Sequence, residues 1–345
     1  MPGLLLDVLN GANPPHRPIW LMRQAGRYLP EYRALRAEKG GFLELVYDPA
    51  AAAEITLQPI RRFGFDGAIL FSDILIVPYA MGQGLEFLAG EGPRLFPRLL
   101  DTALEALEPA PERLAPIYET VRQVRAQIGP ETTLLGFAGS PWTVATYMVA
   151  GEGSRDHHDT RALAYCDPAG FQAIIDAITE VTVDYLCGQI EAGAEAVQLF
   201  DSWAGSLAPA EFERWVIAPN ARIAARLKAL HPSVPVIGFP KGAGEKLPAY
   251  ARETGVDAVG IDETVDPLWA ARALPDGLPV QGNLDPLLLL AGGEELERQA
   301  VRVLEAFADR PHTFNLGHGI GQHTPIAHVE RLIAIVRGWT RQGEG

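Results

Sequence analysis

Eight short apolar runs, each stopped by a polar residue or a glycine, restrict the architectures open to this chain more than any other feature. They are Ile19–Met22, Gly67–Phe71, Thr133–Phe137, Ala196–Phe200, Val236–Phe239, Ala258–Ile261, Val280–Gly282 and Thr313–Leu316. Most mix β-branched and aromatic residues without alternating with polar ones, which is how strands covered on both faces read. Between them lie stretches of helical period, several opened by Asp or Thr directly before a proline: Asp48-Pro49, Asp167-Pro168, Asp266-Pro267, Asp285-Pro286 and Thr324-Pro325. The last stretch sets Ile326, Val329, Leu332, Ile333, Val336 and Trp339 on one stripe. Strands alternating with helices predict a parallel α/β sheet, and eight strands close a distorted (β/α)8 TIM barrel; an open doubly wound sheet is the alternative. The 345 residues fit one barrel domain with insertions, spanning 1–345.

Two connections exceed the rest. Ile76 to Leu107, with the segments MGQGLEF and EGPRLFP, reads as an inserted hairpin and loop; Ala138 to Pro168 holds a glycine-rich turn and the polar run GEGSRDHHD. Both follow strand ends, and so belong over the face where barrel enzymes keep their sites.

Charge narrows the ligand class. The net charge is −14 and lysine occurs only at positions 39, 228, 241 and 246, so the chain repels polyanions and nucleic acid is not an expected partner. Any anionic ligand must be held by local arginines. No stretch approaches the roughly 18 apolar residues that cross a bilayer, and the N-terminus MPGLLLDVLNG lacks the basic segment of a secretion signal, so a cytoplasmic protein is expected. Cys166 and Cys187 have the spacing of neither a disulfide framework nor a zinc site and read as inert thiols.

The residues at the strand ends carry the chemistry. In the segment PIWLMRQAGRYLPEYRALR, Arg23 and Arg27 follow an apolar run directly, with Gln24, Ala25 and Gly26 between them. A solvated pair is the bland reading. Arginine at the end of a core strand is costly unless an anion awaits it, and a tight turn at Gly26 lets both guanidiniums converge on one. The later runs deliver Ser72 and Asp73, then AGSPWT and Tyr147, Asp201 and Ser202, Lys241, Asp262, Asn283 and Asp285, and finally His318 between two glycines. Each has a structural reading as cap, turn residue or core aromatic, but a closed barrel makes them neighbours. His157 and His158 read as a solvated loop, since adjacent histidines seldom converge on one metal and no third ligand stands by. Neither KGAGEK nor GHGIGQ matches a nucleotide-binding pattern.

The segments RQAGRYLPEYR, ILFSDIL with AMGQGLEF, GFAGSPWTVATYMVAG, LFDSWAG, PVQGNLDP and FNLGHGI together resemble the uroporphyrinogen decarboxylase family over nearly the whole chain. The resemblance implies a distorted eight-stranded barrel, a homodimer with facing clefts, and a cofactor-free, metal-free carboxy-lyase of porphyrin and haem biosynthesis. Such an enzyme turns the four acetates of uroporphyrinogen into methyls, giving coproporphyrinogen and CO₂. It also implies that Arg23, Arg27 and Arg36 meet substrate carboxylates across the backbone of Gln24, Ala25 and Gly26. Asp73 then matches the central aspartate, Tyr147 the tyrosine after the glycine turn, Ser202 the hydroxyl residue after strand four, and His318 the histidine of the last loop. The sequence departs from the family pattern at Pro78-Tyr79, at Gln322 and over Glu152–Thr160, where loop shape is affected.

The residues suit that chemistry: eight carboxylates call for arginines in an otherwise acidic protein, and inward-pointing pyrrole N–H groups call for an acceptor such as Asp73. Two other readings stand beside it. Zinc- or corrinoid-dependent methyltransferases resemble this barrel, but need a His-x-Cys and a distant Cys, and neither cysteine here has a histidine two residues before it. A non-catalytic tetrapyrrole carrier would keep the arginines without requiring Asp73.

Overall fold

Seven of the eight runs form one parallel sheet in the computed structural model, which describes residues 3–88 and 92–341. In chain order the strands are β1 (Gly67–Ile69), β2 (Gly84–Leu88), β3 (Gly92–Phe96), β4 (Thr133–Gly139), β5 (Ala196–Asp201), β6 (Val236–Pro240), β7 (Ala258–Gly260), β8 (Val280–Leu284) and β9 (His312–Leu316). The sheet order is β1-β4-β5-β6-β7-β8-β9, with every pair parallel, so the chain steps once around a barrel with helices outside.

The first run departs from expectation. Ile19–Met22 makes no ladder, only a single parallel bridge from Ile19 to Phe314 on β9. It still closes the ring. On one side the Phe314 amide donates to the Pro18 carbonyl (2.9 Å); on the other the Asp66 amide donates to the Ile19 carbonyl (3.0 Å). Pro18 has no N–H and Arg23 turns left-handed, so only four residues are left to pair. Their amides are met largely by side chains instead: Ile19 N–H by Asp66 Oδ2, Leu21 N–H by Gln24 Oε1 and Met22 N–H by Asn315 Oδ1, at 2.8 to 3.1 Å. This stave is the distortion in the barrel.

Inside the barrel a polar chain spans the strands: Trp20 Nε1 donates to Gln281 Oε1, and Gln281 Nε2 to Gln198 Oε1, both at 3.0 Å. Outside, Asp48, Asp167, Asp266 and Asp285 accept amide hydrogen bonds at the starts of their helices, each interaction being worth about 1 kcal/mol. Thr324 does not. The last helix begins at Ile326 with Pro325 as its cap, and the Thr324 hydroxyl is buried without a partner. The stripe predicted for that helix buries Val329, Leu332, Ile333 and Val336. Trp142, Phe171 and Trp215 pack edge to face between the outer helices, a geometry adding roughly 0.5–1.5 kcal/mol per pair beyond burial.

The insertion after β1 contains the expected hairpin, β2 against β3, preceded by a short helix over Ile76–Ala80. Glu91, in the EGPRLFP segment, lies outside the described residues. The hairpin is fastened to the body by the Leu95 amide on the Gly151 carbonyl (2.7 Å) and by Gln83 Nε2 on the Met148 carbonyl (3.2 Å). His157 is a correction: it is buried and its ring lies 4.8 Å from that of Trp203, while His158 is exposed as expected. Cys166 is exposed and Cys187 half-buried, with no group of three potential metal ligands among the described residues. No helix among them is long and apolar enough to cross a membrane.

Candidate active site

The C-terminal ends of the strands surround a cleft of about 1000 Å³, at the upper end for small-molecule sites. Arg23, Arg27, Arg36, Asp73, Tyr147, Ser202 and His318 all line it, drawn from six separate segments of the chain. Ala25 and Gly26 contribute to the wall as well. Gln24 does not: its side chain is fully buried, accepting from the Leu21 amide and donating Nε2 to the Gly67 carbonyl (2.9 Å). It fixes the turn that presents the arginines.

That turn has its strain at Arg23, not at Gly26. Arg23 has φ 60°, left-handed and costing roughly 1–2 kcal/mol for a residue with a Cβ, whereas Gly26 keeps a negative φ. The Gln24 amide on the Leu21 carbonyl (2.9 Å) and the Ile320 amide on the Met22 carbonyl (2.9 Å) hold the strained residue in place. Arg23, Arg27 and Arg36 then share the cleft without a hydrogen bond or ion pair to any carboxylate among the described residues. Other arginines here do have one, as in the bidentate Arg62–Glu31 pair. Three arginines with no such partner among the described residues give one cavity the charge and geometry that suit an anion.

Opposite them stands Asp73, just past β1. Its Oδ1 accepts the Leu75 amide at 2.8 Å, and burial pushes its carboxyl up to about 6, against the opposing pull of that hydrogen bond and of Arg23. At pH 7 it is mainly an anion, yet a costly one. Burial raises the Tyr147 phenol too; Asp73 adds to the rise, while the Trp203 indole and Arg23 oppose it. His318 moves the other way: burial, then Arg23 and Lys241, push it down to about 4, so it is a neutral imidazole at pH 7.

Aromatic side chains that sequence reasoning did not single out make the apolar part of the wall. Phe71, Phe137 and Phe200 precede the polar residues at the ends of their strands, with Phe137 and Phe200 edge to face at 5.5 Å. Phe42 bridges Phe71 (5.3 Å) and the hairpin's Phe87 (4.6 Å). The available signal was an aromatic one to three positions before the first polar residue past these three runs. Runs five to seven, by contrast, do not reach the cleft. Lys241 lies 3.9 Å from Glu263, Asp262 accepts the Gly242 amide (2.7 Å), Asn283 donates to the Asp262 and Val265 carbonyls, and Asp285 caps a helix. The cleft is off-axis, toward the first stave.

Two glycines flanking His318 separate structure from binding. A Cβ on Gly317 would lie 2.1 Å from the Glu263 backbone nitrogen, which cannot yield, so Gly317→Ala should destabilise by about 1–3 kcal/mol in denaturant unfolding. A Cβ on Gly319 would instead meet the flexible Arg23 stem, at 2.3 Å from Cδ. Gly319→Ala should therefore leave the denaturation midpoint within about 1 kcal/mol of native and raise KM severalfold, as the guanidinium is displaced.

Comparison with known proteins places this cleft in context. The family model described as uroporphyrinogen decarboxylase (URO-D) matches residues 2–339. A protein named uroporphyrinogen decarboxylase from Novosphingobium aromaticivorans is 80% identical over 341 residues, covering 99% of this chain and all of its own. One of the same name from Erythrobacter litoralis is 72% identical with the same coverage. Among solved structures, a methyltransferase from Methanosarcina mazei superposes with TM-score 0.81 over 96% of both chains at 19% identity, which is likeness of fold alone.

Proposed function

We propose, from the premise that this chain belongs to the uroporphyrinogen decarboxylase family, that it removes CO₂ from the four acetate side chains of uroporphyrinogen to give coproporphyrinogen. The observation that supports the reading at the site is that three guanidiniums without a carboxylate partner among the described residues share a single cleft with the half-buried carboxylate of Asp73. Arg23, Arg27 and Arg36 hold substrate carboxylates. Asp73 accepts pyrrole N–H groups, and Tyr147, Ser202 and His318 orient the ring being processed.

Each cycle balances without an added electron acceptor. A proton adds to the pyrrole α-carbon beside the acetate; the C–COO⁻ bond breaks, and its electron pair flows into the cationic ring as CO₂ leaves. The exocyclic carbon then takes a proton to become methyl, and the α-carbon releases its own. The net change is one proton consumed and one CO₂ formed per acetate. Asp73 stabilises the ring cation: a carboxylate about 4 Å away at an effective dielectric near 20 contributes roughly 4 kcal/mol, about a thousandfold in rate. His318, neutral at working pH, donates or accepts a hydrogen bond but is not a standing acid, so the protons arrive through water or Arg23.

We read the protein as a cytoplasmic homodimer. Support for the dimer comes from exposed Leu268, Leu287 and Leu290 on helices that begin just past the ends of β7 and β8. A fully active monomer by sedimentation at micromolar concentration would contradict the dimer. The methyltransferase reading has no support at the site, since neither cysteine lines the cleft. Anaerobic incubation of the purified protein with uroporphyrinogen, with carboxylate loss followed by chromatography, tests the function: stepwise loss of four carboxyls is expected, and binding without CO₂ release would identify a carrier.

A further inference from the structure

Behind the cleft wall, at the end of β5, Asp201 is fully buried beside the two wall residues Phe200 and Ser202. Its Oδ1 accepts the Thr143 hydroxyl at 2.6 Å, and its Oδ2 makes no hydrogen bond. A hydroxyl that donates to a carboxyl must turn its lone pairs elsewhere. Thr143 Oγ1 turns them to the Trp203 amide, which donates at 3.0 Å. Thr143 lies one helical turn before Tyr147 on the Pro141–Ala150 helix, while Trp203 follows Ser202. One buried carboxyl thus sets the polarity of the hydroxyl that ties the Ser202 loop to the helix of Tyr147.

The clamp has further members. Trp142 Nε1 (3.1 Å) and Ser206 Oγ (2.7 Å) both donate to the Trp203 carbonyl, and the Lys241 amide donates to the Asp201 carbonyl (3.0 Å). The Trp203 ring is held against His157, and its indole stands beside the Tyr147 phenol. Burial pushes the Asp201 carboxyl up to about 7, with Thr143 and Asn220 opposing the rise. A protein with no use for it would gain by replacing such a group with an apolar residue.

We propose that Asp201 is a positioning residue for the decarboxylation, acting through Thr143 to hold Tyr147 and Ser202 in register across the cleft. This rests on the function proposed above. What the position needs is a hydrogen-bond acceptor of carboxyl shape, not a negative charge.

The test measures two things on purified variants: steady-state kinetics with uroporphyrinogen, and amide hydrogen exchange in peptides covering residues 143–150 and 201–206. Asp201→Ala should lower kcat by about 10- to 100-fold with KM within threefold of native, since misplacement of about 1 Å costs on that order. Exchange should rise in both peptides and not in the barrel strands. Asp201→Asn keeps the acceptor and should restore most of kcat and the native exchange pattern. Thr143→Val should reproduce the alanine phenotype and Thr143→Ser should rescue it, which keeps the claim testable if Asp201→Ala does not fold. Native exchange in Asp201→Ala or Thr143→Val would overturn the proposal, as would an Asn variant as impaired as the Ala variant. Failure of the native protein to turn over substrate would instead sink the functional reading, while the exchange pattern would still decide the clamp.

Discussion

Asp73→Asn is expected to bind uroporphyrinogen with little change in affinity while kcat falls by about two to three orders of magnitude. Asparagine keeps the shape and the oxygen that accepts the Leu75 amide, but not the charge that meets the ring cation. The same substitution should strengthen the fold, and the direction follows from linkage. The Asp73 carboxyl titrates at about 6 in the folded protein against about 4 in an unfolded chain, so the native state holds this proton more tightly. Stability from that proton is complete below the unfolded value and is lost as pH rises through 6, amounting to roughly 3 kcal/mol by pH 7.5. Removing the charge recovers it, so Tm at pH 7.5 should rise by several degrees while activity collapses. An inactive but less stable variant would mean simple damage; turnover at the native rate would leave Asp73 a positioning group only.

The second large effect is at the cationic wall. Arg27→Ala should raise KM by about 10- to 100-fold with kcat within threefold, because hydrogen bonds to charged groups are worth roughly 1.5–3 kcal/mol and the role proposed for Arg27 is in binding alone. Arg27→Lys should recover part of the loss, since a point charge replaces a planar fork. Arg23→Ala should do more than weaken binding. Arg23 is the cation that holds the Asp73 carboxyl down and His318 down, so without it both groups titrate at higher pH. Unchanged KM in a folded Arg27→Ala protein would remove the anion-site assignment.

Particular residues show what the sequence made legible. Strands β4 to β9 and β1 stand where unbroken apolar runs stopped at polar residues, because strands buried on both faces leave that mark whatever their neighbours. Ile19–Met22 has the same composition, yet its amides bond to Asp66, Gln24 and Asn315, and no local pattern reveals acceptors brought from elsewhere in the chain. Arg23, Asp73 and His318 are legible as cleft residues because a charged or polar residue at or just past the end of an apolar run is conspicuous, whereas Tyr147 lies inside a helix and is legible mainly through the family resemblance. The same rule overreached at Lys241, Asp262 and Asn283, whose strands end beside other loops rather than beside the cleft. The turn of the Gln24 side chain into the core was not legible either, since adjacency to two arginines does not say which way a side chain points. The aromatic wall of Phe42, Phe71 and Phe87 was not legible, as core and cleft aromatics look alike until the packing separates them.

The central claim is that an ionised Asp73 drives decarboxylation, and the pH dependence of kcat/KM tests it most directly. The native enzyme should lose activity tenfold per pH unit below about 6, the value set by burial of Asp73, and level off above it. His318 titrates lower, at about 4, and Asp73 is not among the groups that set its value, so the residual activity of Asp73→Asn should be flat from pH 5 to 8 in the same buffers. Arg23→Ala should shift the limb to higher pH. A limb near 6 that persists unchanged in Asp73→Asn would contradict the account, because the titrating group would then be another.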